Sequence, residues 1–333
     1  YLGNALYHYV RLQYDYRNRL YWGLTAVKDA GEPFANNLNK GYDSYSFHLL
    51  LKNWAFFETL AVGDYRVRTG EGLVFGSGFS MGKEFDITMS RQIINKHTST
   101  DEYYFMRGAA ATMKWGDLCF SPFVSFRKTD ASLDDNGRIE TLKTDGYHRT
   151  WTEYFRKRNV FNGLYGAHLS YNRPHYKAGM TGYYQHWDHE FSTGTQLYKH
   201  YAPKGRTFWG LSVDYGVAFG DWAFSGESAH SGLYHGWATV NKLLYRPLPD
   251  LKLFALYRLY SYRYYAQYAS AFSEGSKTQN ESGFYLGTEY QPWRFVQLKA
   301  AFDYYYFPWP KYGLDHSSDG YQIRLQSDIR QND

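Results

Sequence analysis

The run FVQLKAAFDYYYF, Phe295 to Phe307, decides the fold. Val296, Leu298, Ala300, Phe302, Tyr304 and Tyr306 fall on one face, while Gln297, Lys299, Ala301, Asp303 and Tyr305 fall on the other. A period of two sustained for more than ten residues is a β-strand with two different environments on its two sides. Strands in water-soluble sheets average about 5 to 6 residues, whereas a tilted strand that crosses a bilayer needs about 9 to 11. Length therefore favours the bilayer.

The pattern repeats outward from there. Tyr321, Ile323, Leu325 and Ile329 oppose Gln322, Arg324, Gln326, Asp328 and Arg330, and Trp209, Leu211, Val213, Tyr215, Val217 and Phe219 oppose Gly210, Ser212, Asp214, Gly216 and Ala218. Weaker versions occupy 5–15, 19–29, 42–52, 58–69, 104–115, 118–128, 162–172, 175–187, 222–230, 236–246, 251–262 and 281–290. Their connections alternate in length. Tyr16–Arg19, Asn53–Phe56, Gly116-Asp117, Asn172–Pro174, Gly220-Asp221, Arg246–Asp250 and Gln291–Arg294 are short and rich in turn formers. Most of the others, including 70–103 and 129–161, are long.

That rhythm is the one expected of a transmembrane antiparallel β-barrel with short periplasmic turns and long extracellular loops. Two strands of about 11 residues, a turn of about 4 and a loop of about 15 use about 41 residues, so the chain holds about eight hairpins, or about 16 strands. The whole of 1–333 is then one barrel domain, with 70–103 and 129–161 as loops that face the lumen or form a lid. If the short turns are periplasmic, the first and last visible strands both end in the periplasm. Even closure would then require one more strand upstream of Tyr1, so residues 1–333 are expected to lack upstream chain.

Composition agrees. The chain carries 36 Tyr, 23 Phe and 10 Trp, 21% aromatic, with ordinary hydrophobic content of 44%. This excludes disorder. A mean hydropathy of −0.61, with no apolar run near 18 residues, excludes membrane-spanning helices but not spanning strands. Net charge of +5 without a basic block gives no argument for nucleic acid. The single Cys119 forms no internal disulfide. Tyr and Trp prefer bilayer interfaces, so Tyr257, Tyr260, Tyr262, Tyr264, Tyr265, Tyr268 and the cluster Tyr304–Trp309 are expected to form an interfacial girdle. The competing class is a soluble aromatic-rich propeller or sandwich, which would have shorter strands and more evenly sized turns.

Assigning the more apolar face of each strand to lipid sends Asp64, Arg66, Arg68, Arg107, Arg127, Asp214, Arg258, Glu281, Glu289, Lys299, Asp303, Arg324 and Asp328 into the lumen. Both signs are present, which fits either a hydrated path or a salt-bridged filling. Gly70, Gly72, Gly76 and Gly78 are expected to bend a loop at the mouth or let it enter the lumen. The glycine spacing around Lys83, followed by Glu84, fits no phosphate loop. His186-Trp187-Asp188-His189-Glu190 matches no zinc motif and reads as a solvated loop. His168, Ser170, Glu227, Ser228 and His230 are ingredients of a hydrolase, but no nucleophile motif marks one. Thr150 and Glu153 have capping-box spacing, so a short amphipathic helix is expected inside 129–161.

Several stretches carry a resemblance: Gly63-Asp64-Tyr65 through Arg68-Thr69-Gly70-Glu71-Gly72-Leu73, Ser77-Gly78-Phe79 with Gly82-Lys83, and Arg107-Gly108-Ala109-Ala110. Pro122-Phe123 to Arg127-Lys128, Gly146-Tyr147-His148-Arg149-Thr150 with Lys157-Arg158-Asn159, and Leu164-Tyr165-Gly166 extend it. Together they resemble the C-terminal barrel of Bacteroidota outer-membrane proteins that carry helix-hairpin-helix domains. The resemblance implies an outer-membrane barrel in a Gram-negative cell, with a competence-like periplasmic module upstream. It brings no catalytic residues.

The expected function is an outer-membrane channel or translocation component with a mixed-charge lumen. The alternative is a non-conducting structural or assembly subunit of a larger complex; a lipid-modifying enzyme ranks third. No cofactor or metal is expected. The expected partners are membrane lipid and lipopolysaccharide, with protein partners under the second reading.

Overall fold

The computed structural model describes residues 1–76, 92–192 and 194–330. Among them the chain forms eighteen β-strands, one five-residue helix, α1 (Trp151–Phe155), and two 3-10 turns. The strands are β1 (His8–Tyr16), β2 (Leu20–Lys28), β3 (Ser44–Trp54), β4 (Phe57–Val67), β5 (Ile94–Lys96), β6 (Met106–Trp115), β7 (Leu118–Thr129), β8 (Ala131–Leu133), β9 (Ile139–Leu142), β10 (Val160–Asn172), β11 (Tyr176–Phe191), β12 (Gly205–Phe219), β13 (Trp222–Ser231), β14 (Gly236–Leu248), β15 (Leu251–Tyr260), β16 (Glu281–Trp293), β17 (Val296–Phe307) and β18 (Ser318–Ile329). Fifteen are long; β5, β8 and β9 have three or four residues.

Each long strand pairs antiparallel with the next long one, so the sheet is a continuous meander from β1 to β18. All fifteen coincide with the stretches of period-two sequence. Laid flat, fifteen strands about 4.8 Å apart would span about 67 Å. Yet Leu50 of β3, Phe123 of β7, Tyr183 of β11, Val240 of β14 and Ala301 of β17 belong to one buried cluster. The sheet therefore curls around a single interior.

The outward face follows its sequence. Exposed Leu211, Val213 and Leu286 sit at mid-strand positions. Beside the short turns the outward positions become aromatic: Trp54, Phe56, Trp115, Tyr176, Phe219, Trp222, Trp293 and Phe295 are all exposed. On β12 the exposed Trp209 and Phe219 mark the two ends of the apolar run. They are ten residues apart, about 33 Å along a strand and about 25 Å along the axis of a barrel whose strands tilt by about 40°. That is the height of an apolar band fitted to hydrocarbon.

Two expectations are corrected here. The girdle assigned to the end of β15 and the loop after it is largely internal: Tyr260 and Tyr264 are 1% exposed and Tyr268 8%. Their loop folds inward, and an interior that excludes water suits their rings better than an interface does. His186–Glu190 is strand, not loop, and Trp187 points inward between them with 0% exposure. His186 and His189 consequently take opposite faces.

Among the described residues β1 and β18 are not paired with each other, and both are exposed along almost their whole length. A sheet without margins is not reached by these fifteen strands.

Candidate functional site

The chain leaves β4 and turns into the barrel. Thr69 N–H donates to Phe75 O and Gly72 N–H to Thr69 O, both at 3.0 Å, so Thr69–Gly76 forms a tight strap. Leu73, Val74 and Phe75 are 0 to 1% exposed. The Phe75 ring meets Phe123 and Tyr183 edge-on at 5.1 and 5.4 Å between centroids. An apolar LVF triplet after β4 thus finds its partners in the interior rather than in lipid.

Polar contacts fasten the strap. Glu227 Oε2 accepts the N–H groups of Glu71 and Leu73 at 2.8 and 2.9 Å. The Glu71 carboxylate lies 2.6 Å from Lys242 Nζ and accepts Ser225 Oγ–H at 2.8 Å. From the β15–β16 loop, Tyr264 O–H donates to Leu73 O at 2.8 Å, and Ser270 N–H to Gly72 O at 2.9 Å. Two of the glycines singled out in sequence are explained by close approach. A Cβ on Gly70, already at φ +51°, would lie 2.6 Å from the Glu227 carboxyl carbon, and one on Gly76 would lie 2.5 to 2.8 Å from Ser270. Gly72, at φ +87°, faces the backbone of the same serine, while Gly78 lies outside the described residues.

The charges sort into three groups. Arg127, Asp214, Arg258, Glu281, Glu289, Lys299 and Asp303 occupy inward positions. Arg258 bonds Glu281 Oε1 at 2.5 Å and Asp303 Oδ1 at 2.8 Å, all at 0 to 1% exposure. Arg127 donates to the carbonyls of Glu102, Tyr103 and Phe105 at 2.6 to 2.7 Å. Glu289 bonds Lys252 at 2.7 Å and stands opposite Lys299. Asp214 lies 3.9 Å from Lys177 and 3.8 Å from His168. The inward charges are largely paired, and rings fill the space between them.

Arg324 and Asp328 form the second group, inward by register on the margin strand β18, opposite Ala301 and Gln297.

The third group is turned the other way. Tyr65, Val67 and Met106 face the core, so Asp64, Arg66 and Arg107, which alternate with them, lie on the opposite face. Asp64 binds Arg107 at 2.6 Å, Arg66 binds Asp101 at 3.0 Å, and Arg68 is exposed beyond the end of β4. The rule that sends the apolar face to lipid fails at this end of β4 because the interior there is apolar too.

A second polar cluster ties the long loops together. His148 places Nδ1 at 2.6 Å from Asp43 Oδ2 and Nε2 at 2.9 Å from Asp130 Oδ2, and Lys157 bonds Asp43 at 2.7 Å. Glu32 accepts the N–H groups of Asp29 and His148 at 2.7 and 2.9 Å. Burial opposes a charge on His148, but Asp130 and Asp43 outweigh it and push its pKa up to about 9. Burial likewise opposes ionisation of Asp43, and His148 with Lys157 reverses this, holding Asp43 below the usual range. Glu102 is pushed up to about 8, by burial first and then by the charge of Asp43. Helix α1 carries the expected capping box, Thr150 with Glu153. Ala131 of β8 and Ile139 of β9 share one buried cluster with Trp187, Phe191 and Phe208.

Hydrolase geometry does not assemble around the named ingredients. His168 Nδ1 bonds Thr181 Oγ1, and Ser228 Oγ bonds Thr239 Oγ1, each at 2.9 Å. Sequence reasoning missed Glu71, Ser225, Lys242 and the loop cluster. One signal was available: Lys242 shares the inward face of β14 with Val240 and Leu244, and a lysine there requires a carboxylate from elsewhere.

No family model and no curated protein matches the chain. Among solved structures it is similar to a triple mutant of Rhodopseudomonas blastica porin, at 10% identity and a TM-score of 0.39, over 96% of this chain and 88% of that one. It is also similar to in-vitro folded OmpT, an outer membrane protein of Vibrio cholerae in its trimer form. That match has 10% identity and a TM-score of 0.40, over 97% of this chain and 91% of that one. Similarity at this level carries over no residue and no cargo.

Proposed function

We propose that the chain is an outer-membrane β-barrel that serves as a gated channel or translocation component, shut at rest by the Thr69–Gly76 strap. The outward apolar band with its aromatic rim supports the membrane location, with lipid and lipopolysaccharide as the surroundings. One observation carries the gating: the strap is held by an ion pair and by backbone hydrogen bonds to Glu227, contacts that water and passing solutes can replace. Among the described residues the inward charges are largely paired, which supports a shut resting state. The finer assignment, to the helix-hairpin-helix barrels of Bacteroidota, rests on the sequence resemblance alone.

Planar-bilayer recording tests this. Purified native protein should be silent at low voltage, whereas Gly76→Val, which cannot seat against Ser270, should give stepwise current. A silent, folded Gly76→Val barrel would favour the second reading, a non-conducting structural or assembly subunit. The buried Arg258–Glu281–Asp303 group and the aromatic filling are what favour that reading.

A further inference from the structure

We propose that the gap between β1 and β18 is the docking site of one further transmembrane strand, antiparallel to both and contributed by the same polypeptide ahead of Tyr1. The inference rests on the membrane reading above and is argued from the two margins of the sheet.

The first argument is hydrogen bonding. β1 has nine residues and β18 twelve, and among the described residues no strand pairs with the outer edge of either. Hydrocarbon cannot satisfy those N–H and C=O groups, so a bilayer does not tolerate such an edge. Neither strand carries the proline or outward lysine that guards a free edge in water. Both instead keep the barrel pattern up to the gap. β1 places Val10, Leu12, Tyr14 and Tyr16 outward, and β18 places Tyr321, Ile323, Leu325 and Ile329 outward, all exposed.

Direction then selects the occupant. In a meander of fifteen antiparallel strands the first and last run the same way, so direct closure would be a parallel pair. A second copy upright in the same membrane offers edges of that same direction and meets the same difficulty. One strand running the opposite way makes every pair antiparallel. Residues before β1 lie at the long-loop rim, where Leu2 N–H donates to Arg149 O and Gly3 N–H to Gly31 O. A strand arriving there from the short-turn rim has the required direction.

The inward faces of the two margins describe the chemistry of the occupant. β1 presents Tyr9, Arg11, Gln13 and Asp15 inward, and β18 presents Gln322, Arg324, Gln326 and Asp328. Each margin has an arginine five residues, and an aspartate one residue, before the strand end at the short-turn rim. Neither arginine ion-pairs with a carboxylate among the described residues. The occupant is thus a strand of about 9 to 12 residues, apolar outward. Its inward side carries an acidic residue at the depth of Arg11 and Arg324, and a basic one nearer Asp15 and Asp328.

The experiment uses the full-length protein in lipid bilayers, with a benzophenone residue replacing Gln13 or Gln326, followed by mass spectrometry of the cross-linked peptides. Both positions should capture one common peptide from upstream of Tyr1, and the β1 and β18 amides should exchange as slowly as those of β12. Capture of a peptide from another protein, direct β1–β18 capture, or fast exchange at either margin would overturn the proposal. Membrane insertion is scored separately by resistance to alkaline extraction. An inserted protein with fast-exchanging margins removes only the added strand, whereas failure to insert removes the membrane reading itself.

Discussion

Neutralising Glu71 should loosen the strap, and a double-mutant cycle with Lys242 should show that the ion pair is the reason. The two groups lie 2.6 Å apart with side chains only 12% and 15% exposed. Glu71→Gln keeps an acceptor for Ser225 but leaves the Lys242 ammonium almost buried beside a neutral amide. Removing one partner of a buried pair costs about 3 to 5 kcal/mol, and the slight exposure here argues for about 3. At about 1.4 kcal/mol per factor of ten, the undocked fraction should rise about 150-fold. Lys242→Met strands the carboxylate instead and should act in the same direction. The double variant buries neither charge and should return to within about tenfold of native, because the two losses share one cause. Open probability in planar bilayers is the assay. The reasoning fails if Glu71→Gln opens no more often than native protein, or if the double variant opens as often as the product of the single effects.

Further outcomes follow from the same geometry. The folded-state pKa of His148, about 9 against an ordinary 6.5, means that its contribution to the loop cluster is complete below about pH 6.5 and lost as pH rises through about 9. Its size is on the order of 3 kcal/mol. Ionisation of Glu102 near pH 8 acts in the same sense, so proteolysis of loops 29–43 and 130–150 should accelerate between pH 6.5 and 9.5, and His148→Gln should reduce the pH dependence to the part that Glu102 supplies. Arg258→Met leaves Glu281 and Asp303 facing each other without a cation and should lower unfolding stability in detergent by about 3 to 5 kcal/mol, read from urea titration. Trp187→Ala removes a wholly buried ring from the cluster it shares with β8 and β9 and should cost about 3 to 5 kcal/mol in the same titration, with faster cleavage within 130–160.

The strands were legible because each reports its own two environments. Alternation over ten residues needs no knowledge of neighbours: 295–307 became β17 almost residue for residue, and 209–219 became all but the first four residues of β12. The helix at Trp151–Phe155 was legible for a similar reason, since Thr150 and Glu153 cap it locally. Short turns were readable from their own residues as well. Asn18, at φ +55°, is a residue type that tolerates the left-handed region a tight hairpin requires.

What lies inside was not legible, because inward and outward are relations between strands. Val62 and Tyr65 are both apolar, yet one faces out and the other packs on the core, and no local pattern says which side holds water. The tyrosines at 260, 264 and 268 have a composition that suits a lipid interface or an aromatic core equally well. Glu71 meets Lys242 and Glu227 across more than 150 positions of chain, a contact made only once the sheet has curled. The sequence by itself determined the place, approximate length and meander order of the fifteen long strands, since these depend on neighbours in the chain. Tertiary structure alone decided that the interior is filled and strapped, since that depends on what a curled sheet brings face to face.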